Sequence, residues 1–344
     1  MSEINFLDES TLTSYLEANV GEFTGPFTAT KFSGGQSNPT FRIDAVSGTY
    51  VLRRQPPGKL LKSAHAVDRE YRVLKALEST DVPVAKVFHL CEDPDVIGSM
   101  FYLMEFCDGN IYWDAQLEDV ADNEQRVRMY DEMNRVLVAI HSVDLDKVGL
   151  SDYGKLGDYF QRQFARWSKQ YEHSELGVIT EMNELIDWLS ENTPTDDGRV
   201  ALAHGDYRLD NIVFSKDNQK IIAVLDWELS TLGHPWADLA YQCMGMRRPP
   251  SHIAGTGSGL QGLDIAALGI PTEQEYVSRY CERMGIAHIE NWNFCLAFSF
   301  FRLAAIAQGV AKRAVDGNAS NKFAAEAGAM VRPLAAMALD VVNG

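Results

Sequence analysis

Residues 200–241 read VALAHGDYRLDNIVFSKDNQKIIAVLDWELSTLGHPWADLAY, and the fold follows from this stretch. A short apolar strand runs into a polar turn holding His204, Asp206, Arg208, Asp210 and Asn211, and an apolar hairpin then delivers Asp226 beyond its second strand. Two carboxylates and an amide are thereby gathered on loop ends beside paired strands. Such a donor set suits a divalent cation held against a phosphate. Hard cations prefer oxygen, and Mg²⁺ takes only one or two ligands from the protein, leaving places for phosphate oxygens.

With 344 residues, the chain exceeds one comfortable core, so two lobes are predicted; 46% apolar and 23% charged residues mark an ordinary soluble globular protein. The net charge of −17 repels phosphate backbones, so nucleic acid and anionic membranes are poor partners. An anionic ligand must be met by locally placed cations or metal. Cys91, Cys107, Cys243, Cys281 and Cys295 are odd in number and form no C-x-x-C pair, which disfavours a disulfide framework and a zinc site and fits a reducing cytoplasm. The first ten residues, MSEINFLDES, carry acids where a signal peptide carries bases. The apolar run 294–301 stops at Arg302, too short to span a bilayer, and reads as part of a buried core helix.

Upstream, residues 7–18 read as a short helix, followed by three strands separated by SGGQSN and by the turn at 46–49. A glycine pair lets the backbone approach a ligand, and Ser33, Gly34, Gly35, Ser37 and Asn38 offer donors to phosphate oxygens; a plain tight hairpin is the alternative. Period-2 alternation puts Tyr50 and Leu52 on one face of the third strand and Val51 and Arg53 on the other. In the helix predicted over 65–77, Glu70 shares an apolar stripe with Val67, Leu74 and Leu77. A carboxylate there either tilts to solvent or is paired, and Arg53 is the cation to receive it. Strands at 82–90 and 100–106 complete a five-stranded small lobe. Beyond it, Glu105, Phe106 and Cys107 lead into the second lobe with backbone groups free for an adenine edge.

From 122 onward the periodicity is helical, with helices over 123–142, 158–171, 179–189 and 235–246. The Gly/Ser/Pro-rich segment 247–262 reads as a long substrate-facing loop. Thr272 and Glu275 form a capping box for a helix ending at Gly285; further helices are predicted over 291–315 and 320–342.

HGDYRLDN followed by LDWE resembles the aminoglycoside phosphotransferase and choline kinase branch of the protein-kinase-like fold. The resemblance implies an α+β, two-lobed architecture: residues 1–106 a nucleotide-binding lobe with a five-stranded antiparallel sheet and one main helix, and 107–344 a larger, mostly helical catalytic and substrate-binding lobe. It implies ATP and Mg²⁺ as cofactors, with nucleotide between the lobes. Asp206 would accept the proton of the attacking hydroxyl, and Asn211 and Asp226 would hold Mg²⁺. Arg53, fixed by Glu70, would contact the α- and β-phosphates where lysine is usual; SGGQSN would cover the phosphates. Backbone at Glu105, Phe106 and Cys107 would meet adenine. Arg208 stands where protein kinases place a lysine that neutralises the γ-phosphate, and His204 and Asp238 would brace the catalytic loop.

YVLRRQPPG, RQFARWSKQY, GLQGLDIAALGIP and ENWNFCLAFSFFRLAAIAQGV are similar to the kinase-like domain found fused ahead of acyl-CoA dehydrogenases. That resemblance implies phosphorylation of a hydroxyl on a hydroxyacyl-CoA and a functional link to a dehydrogenase. Arg162, Arg166 and Lys169 share one helix face, and Arg247 with Arg248 opens the loop; in so acidic a chain these suit an anionic substrate such as an acyl-CoA, a solvated surface face being the alternative. An aminoglycoside, choline or sugar kinase, or a silent ATP-binding regulator of a dehydrogenase, are the rival readings.

Overall fold

The computed structural model describes residues 7–32, 38–56, 65–250, 258–317 and 324–344; Ser33, Gly34, Gly35 and Ser37 lie outside them. Two compact units emerge, one of Met1–Asn110, Val148–Leu150 and Ile212–Ser230, the other of Ile111–Lys147, Ser151–Asn211 and Thr231–Gly344. The first unit thus takes in residues 107–110 and 212–230 besides the stretch up to 106. Asn110 and Phe214 exchange backbone hydrogen bonds at 2.8 and 2.9 Å, which ties the hairpin following Asn211 to the first unit. Gly109 permits that approach, because a Cβ there would meet the Phe214 carbonyl oxygen at 2.1 Å.

The first unit opens with α1 (Glu9–Asn19), then β1 (Phe27–Lys31), β2 (Thr40–Ala45), β3 (Gly48–Arg54), α2 (Val67–Leu77), β4 (Val87–Cys91) and β5 (Phe101–Glu105). The five strands form one antiparallel sheet, as predicted, and their order is β1-β2-β3-β5-β4. Leu12 and Leu16 of α1 bury against Phe41, Ile43, Tyr50, Leu52, Phe101 and Leu103 of the sheet. α2 packs on β4 and β5 and buries Glu70 within the stripe Val67, Val73, Leu74 and Leu77.

After β5 the chain enters the second unit with α3 (Asn123–His141), α4 (Tyr159–Ser174), α5 (Thr180–Asn192) and the short strand β6 (Ala201–Ala203). It returns to the first unit for the hairpin β7 (Ile212–Phe214) and β8 (Ile221–Val224). It ends in the second with β9 (Thr231–Gly233), α6 (Pro235–Arg247), α7 (Glu273–Met284), α8 (Trp292–Val315), α9 (Ala324–Ala329) and α10 (Val331–Asn343). β6 pairs antiparallel with β9, Ala201 opposite Gly233 and Ala203 opposite Thr231, so residues 204–206 leave the ladder at its Thr231 end.

The capping box at Thr272 and Glu275 is present, and Gly285 closes α7 in the left-handed conformation. The single helix expected over 320–342 is instead α9 and α10, parted at Met330. Pro333 explains the break: it has no N–H to donate and its ring clashes with the preceding turn, so it is tolerated only in the first turn of a new helix. Among the described residues, α8 is the one helix long and apolar enough to cross a membrane, but 78% of its most apolar window is buried. It packs against α4, α5, α6 and α10 as the core helix of the unit. Its 24 residues correct the judgement of length made from the run 294–301; burial, not shortness, marks it as core. None of the five cysteines is disulfide-bonded.

Candidate active site

Within the first unit, β3 alternation turns Arg53 toward α2, and its guanidinium gathers three carboxylates. Nε approaches Glu70 Oε2 at 2.8 Å, one terminal nitrogen donates to Asp226 Oδ1 at 2.7 Å, and the same nitrogen lies 3.4 Å from Glu228 Oε2. The approach to Glu70 has the distance of an ion pair without the alignment of a hydrogen bond. Burial opposes the Arg53 cation, yet Glu70 and Asp226 outweigh it and push its pKa up. Glu70 is almost wholly buried, and desolvation raises its pKa to about 7 against the pull of Arg53.

Asp226 itself stands after β8 at φ 62°, a left-handed backbone that a residue with a Cβ adopts at a cost of about 1 kcal/mol. Asn38 is buried with its amide spent inside the unit, on His65 Nδ1 at 3.0 Å and Glu228 Oε2 at 3.5 Å. Glu105 ends β5, while Phe106 and Cys107 follow the ladder half-buried, the Cys107 thiol pushed up to about 12 by burial.

The three-acid grip on Arg53 depends on a planar fork. Lysine offers a point charge and reaches Glu70 and Asp226 less well together. Arg53→Lys is therefore expected to lower unfolding free energy by about 1–2 kcal/mol and Arg53→Met by about 3–5, because the second leaves Glu70 buried and uncompensated. Urea unfolding of the two variants checks the order, and equal losses would overturn it.

Within the second unit, the HGD turn is clamped from its backbone. Gly205 adopts φ 83°, which glycine permits without strain, and aligns successive amides. His204 N–H donates to Asp238 Oδ2 at 2.6 Å and Gly205 N–H to Asp238 Oδ1 at 2.8 Å. Arg302, from α8, donates to the Gly205 carbonyl at 2.5 Å. The loop's far end is fixed by Asn211, whose Nδ2 donates to Asp206 O and Asp206 Oδ2, both at 3.0 Å. Between them, Tyr207 buries its ring and donates to the Met133 carbonyl at 2.8 Å. Asp206 is thus a half-buried carboxylate on an immobilised turn, able to accept a proton from a nearby hydroxyl.

The predicted cations divide sharply by partner. Arg208 is bound twice by Asp210, at 2.5 and 2.8 Å. Arg162 caps the carbonyls of Leu156 and Lys155 at 3.2 and 2.6 Å, and Arg247 pairs with Glu273 at 2.9 Å. Arg166 and Lys169 are exposed on α4. Arg248 is buried beside a cavity of about 80 Å³ lined by Trp113, Arg208, Asp210, Tyr241, Gln242 and Arg248.

Several contributors escaped sequence reading. Glu228 lies two residues past Asp226 in LDWE, a spacing that could have drawn attention to it. Arg302 and Gln242 gave no local signal, since each is a polar residue set among buried apolar ones in its helix.

The model of the phosphotransferase enzyme family matches residues 28–268. A provisionally named aminoglycoside phosphotransferase of Ralstonia eutropha JMP134 is 47% identical, covers 98% of this chain and 99% of its own, and superposes with a TM-score of 0.87. A thermostable APH(4)-Ia mutant, solved as a ternary complex with ADP and hygromycin B, shares the fold at TM-score 0.63 with 16% identity, covering 97% of this chain and 99% of its own. Acyl-CoA dehydrogenase family member 10 of Mus musculus is 46% identical over 335 residues, 97% of this chain but 31% of that protein. The chain therefore spans about a third of that curated relative.

Proposed function

Because the chain belongs to the phosphotransferase enzyme family, we propose that it moves the γ-phosphoryl group of ATP, with Mg²⁺, to a hydroxyl of a small molecule, foremost a hydroxyacyl-CoA. Asp206 is the base for the acceptor hydroxyl, and Asn211 and Asp226 are the metal ligands. Arg53, fixed by Glu70, serves the α- and β-phosphates with Ser33, Gly34, Gly35, Ser37 and Asn38, and the backbone of Glu105, Phe106 and Cys107 serves adenine.

The observation that carries this reading is the Asp206–Asn211 pair at 3.0 Å, on a turn whose backbone Asp238 and Arg302 hold still. Phosphoryl transfer asks a protein chiefly for positioning and charge neutralisation, and a fixed carboxylate beside a fixed amide supplies positioning. The donor chemistry fits Mg²⁺. Asn211 gives its nitrogen to Asp206 and keeps its carbonyl oxygen, and Asp226 gives one oxygen to Arg53 and keeps the other. Among the described residues no group of three or more His, Cys, Asp or Glu side chains is arranged to hold a metal. Mg²⁺ needs no such cage, since it retains water and phosphate oxygens. When bound, the ion would offset charge on the transferring phosphoryl oxygens.

Arg208 gives Nε and one terminal nitrogen to Asp210, and its other terminal nitrogen is the group that would neutralise the γ-phosphate. Support for an acyl-CoA comes from the relative's name and from Arg166 and Lys169, exposed cations able to meet CoA phosphates. We place the enzyme in a reducing cytoplasm, in functional partnership with an acyl-CoA dehydrogenase. An ATP-consumption screen over hydroxyacyl-CoAs, aminoglycosides, choline and sugars, with Asp206→Asn as the blank, tests the assignment. Turnover with hydroxyacyl-CoAs alone is expected; turnover confined to another class would overturn the acceptor and keep the kinase.

A further inference from the structure

The cavity beside the catalytic turn holds an unusual pair of donors. Arg248 is 7% exposed, and no group among the described residues accepts a hydrogen bond from its Nε. Gln242, 8% exposed on α6, receives the Tyr276 hydroxyl on Oε1 at 2.9 Å while its Nε2 likewise finds no acceptor. Both line the same space as Arg208 and Asp210. Asp210 is already taken by Arg208, so the lining carries two guanidinium charges against one carboxylate. A buried donor without a partner is costly, and a buried cation without one more so. Burial and the neighbouring Arg208 both work against the Arg248 cation. An incoming oxygen with negative charge would relieve all of these at once.

We infer that Arg248 and Gln242 read the acyl oxygen of the phosphate acceptor, making them specificity-determining residues. Size limits what enters. Roughly 10–15 Å³ of such space holds one water molecule, so about 80 Å³ admits a carboxylate or a thioester carbonyl. Met244, Met246 and Leu303, also in the lining, supply apolar contact for the carbons beside that oxygen. Two sources share this chemistry, a free hydroxy acid and its thioester. The inference rests on the phosphotransferase reading only in calling the ligand an acceptor.

Equilibrium binding tests it without any transfer step. Calorimetry would compare 3-hydroxybutyrate, its CoA thioester and 1,3-butanediol, the last keeping a hydroxyl but lacking the acyl oxygen. At least one acyl compound is expected to bind ten-fold or more tighter than the diol, because a site built to hydrogen-bond an oxygen penalises the analogue without it. Tighter binding of the acid identifies the free acid as the source; tighter binding of the thioester identifies the thioester. Arg248→Gln is expected to erase the gap, and Arg248→Lys, which keeps the charge and guards against misfolding as the cause, to keep part of it. A diol equal to both acyl compounds in the wild-type protein, all three failing to bind included, or a gap that survives Arg248→Gln in a folded variant, overturns the inference. A gap present while the ATP-consumption screen stays blank would leave the cavity assignment standing and remove the kinase reading instead.

Discussion

Asp206→Asn is expected to lower turnover on any accepted alcohol by about 10²–10⁴-fold, the usual loss when a positioned general base is removed, while the Kd for ATP changes by less than about twofold. The two halves of this expectation come from different features. The substitution keeps size and shape, and an asparagine oxygen still accepts from Asn211 Nδ2, now 3.0 Å from Oδ2. Backbone order at 204–205 is set by Asp238 and Arg302, neither of which contacts the substituted group. What disappears is the carboxylate's capacity to take a proton as the hydroxyl attacks. Tyr241 gives no substitute, since burial first and then the Asp206 charge push its pKa up and keep its phenol protonated. Single-turnover kinetics alongside calorimetric ATP titration separate the outcomes. Undiminished kcat would show that Asp206 is not the base, and loss of ATP affinity would show that it belongs to the nucleotide site.

Sequence reasoning reached the features that repeat or stand close together. Strand alternation placed Arg53 opposite Glu70, and the helical stripe buried Glu70, because period 2 and period 3.6 are written locally. The same holds for the capping box at Thr272 and for the spacing of Asp206 and Asn211, where the loop closes on itself through one side chain. Long-range partners were illegible. Asp238 reaching back to the 204–205 amides was suspected only from resemblance, and Arg302 on α8 was missed, because nothing near it distinguishes a carbonyl-binding arginine from one ending an apolar run. Five basic residues looked equivalent as substrate contacts. Folding spends Arg162 on carbonyls and Arg247 on Glu273, and it buries Arg248 instead, a distinction fixed by tertiary placement of acids. The grouping of hairpin β7–β8 with the first unit was illegible for a related reason: it is made through Asn110, a contact across 104 positions of chain.

A stability effect as large as that of Arg53→Met should come from Asp238, which never touches a reacting atom. Its carboxylate is 1% exposed, and its two oxygens accept from the amides of His204 and Gly205 at 2.6 and 2.8 Å, with His141 Nε2 3.4 Å away. His141 Nδ1 in turn meets the Tyr280 hydroxyl at 2.7 Å, so the network assigns the ring proton to Nε2, facing Asp238. Burial would raise the Asp238 pKa, but the His141 contact and the amide bonds override it and hold it below 3.8. A depressed carboxylate pKa contributes stability that is present above the unfolded value and lost as pH falls through the folded one. Below about pH 4 the clamp should therefore weaken, and it should be intact at neutral pH. Asp238→Ala removes both acceptors and orphans two buried amides, an expected cost of about 3–5 kcal/mol by the penalty for unpaired buried groups. Asp238→Asn keeps one oxygen but turns an NH₂ toward an N–H, so about 2–3 kcal/mol is expected. Urea midpoints at pH 7 and at pH 3 distinguish this account from simple loss of packing. The gap between wild type and Asp238→Asn should narrow on acidification, because only the wild type gives up a charge. A gap of constant size would mean that the carboxylate is held for its shape and not for its charge.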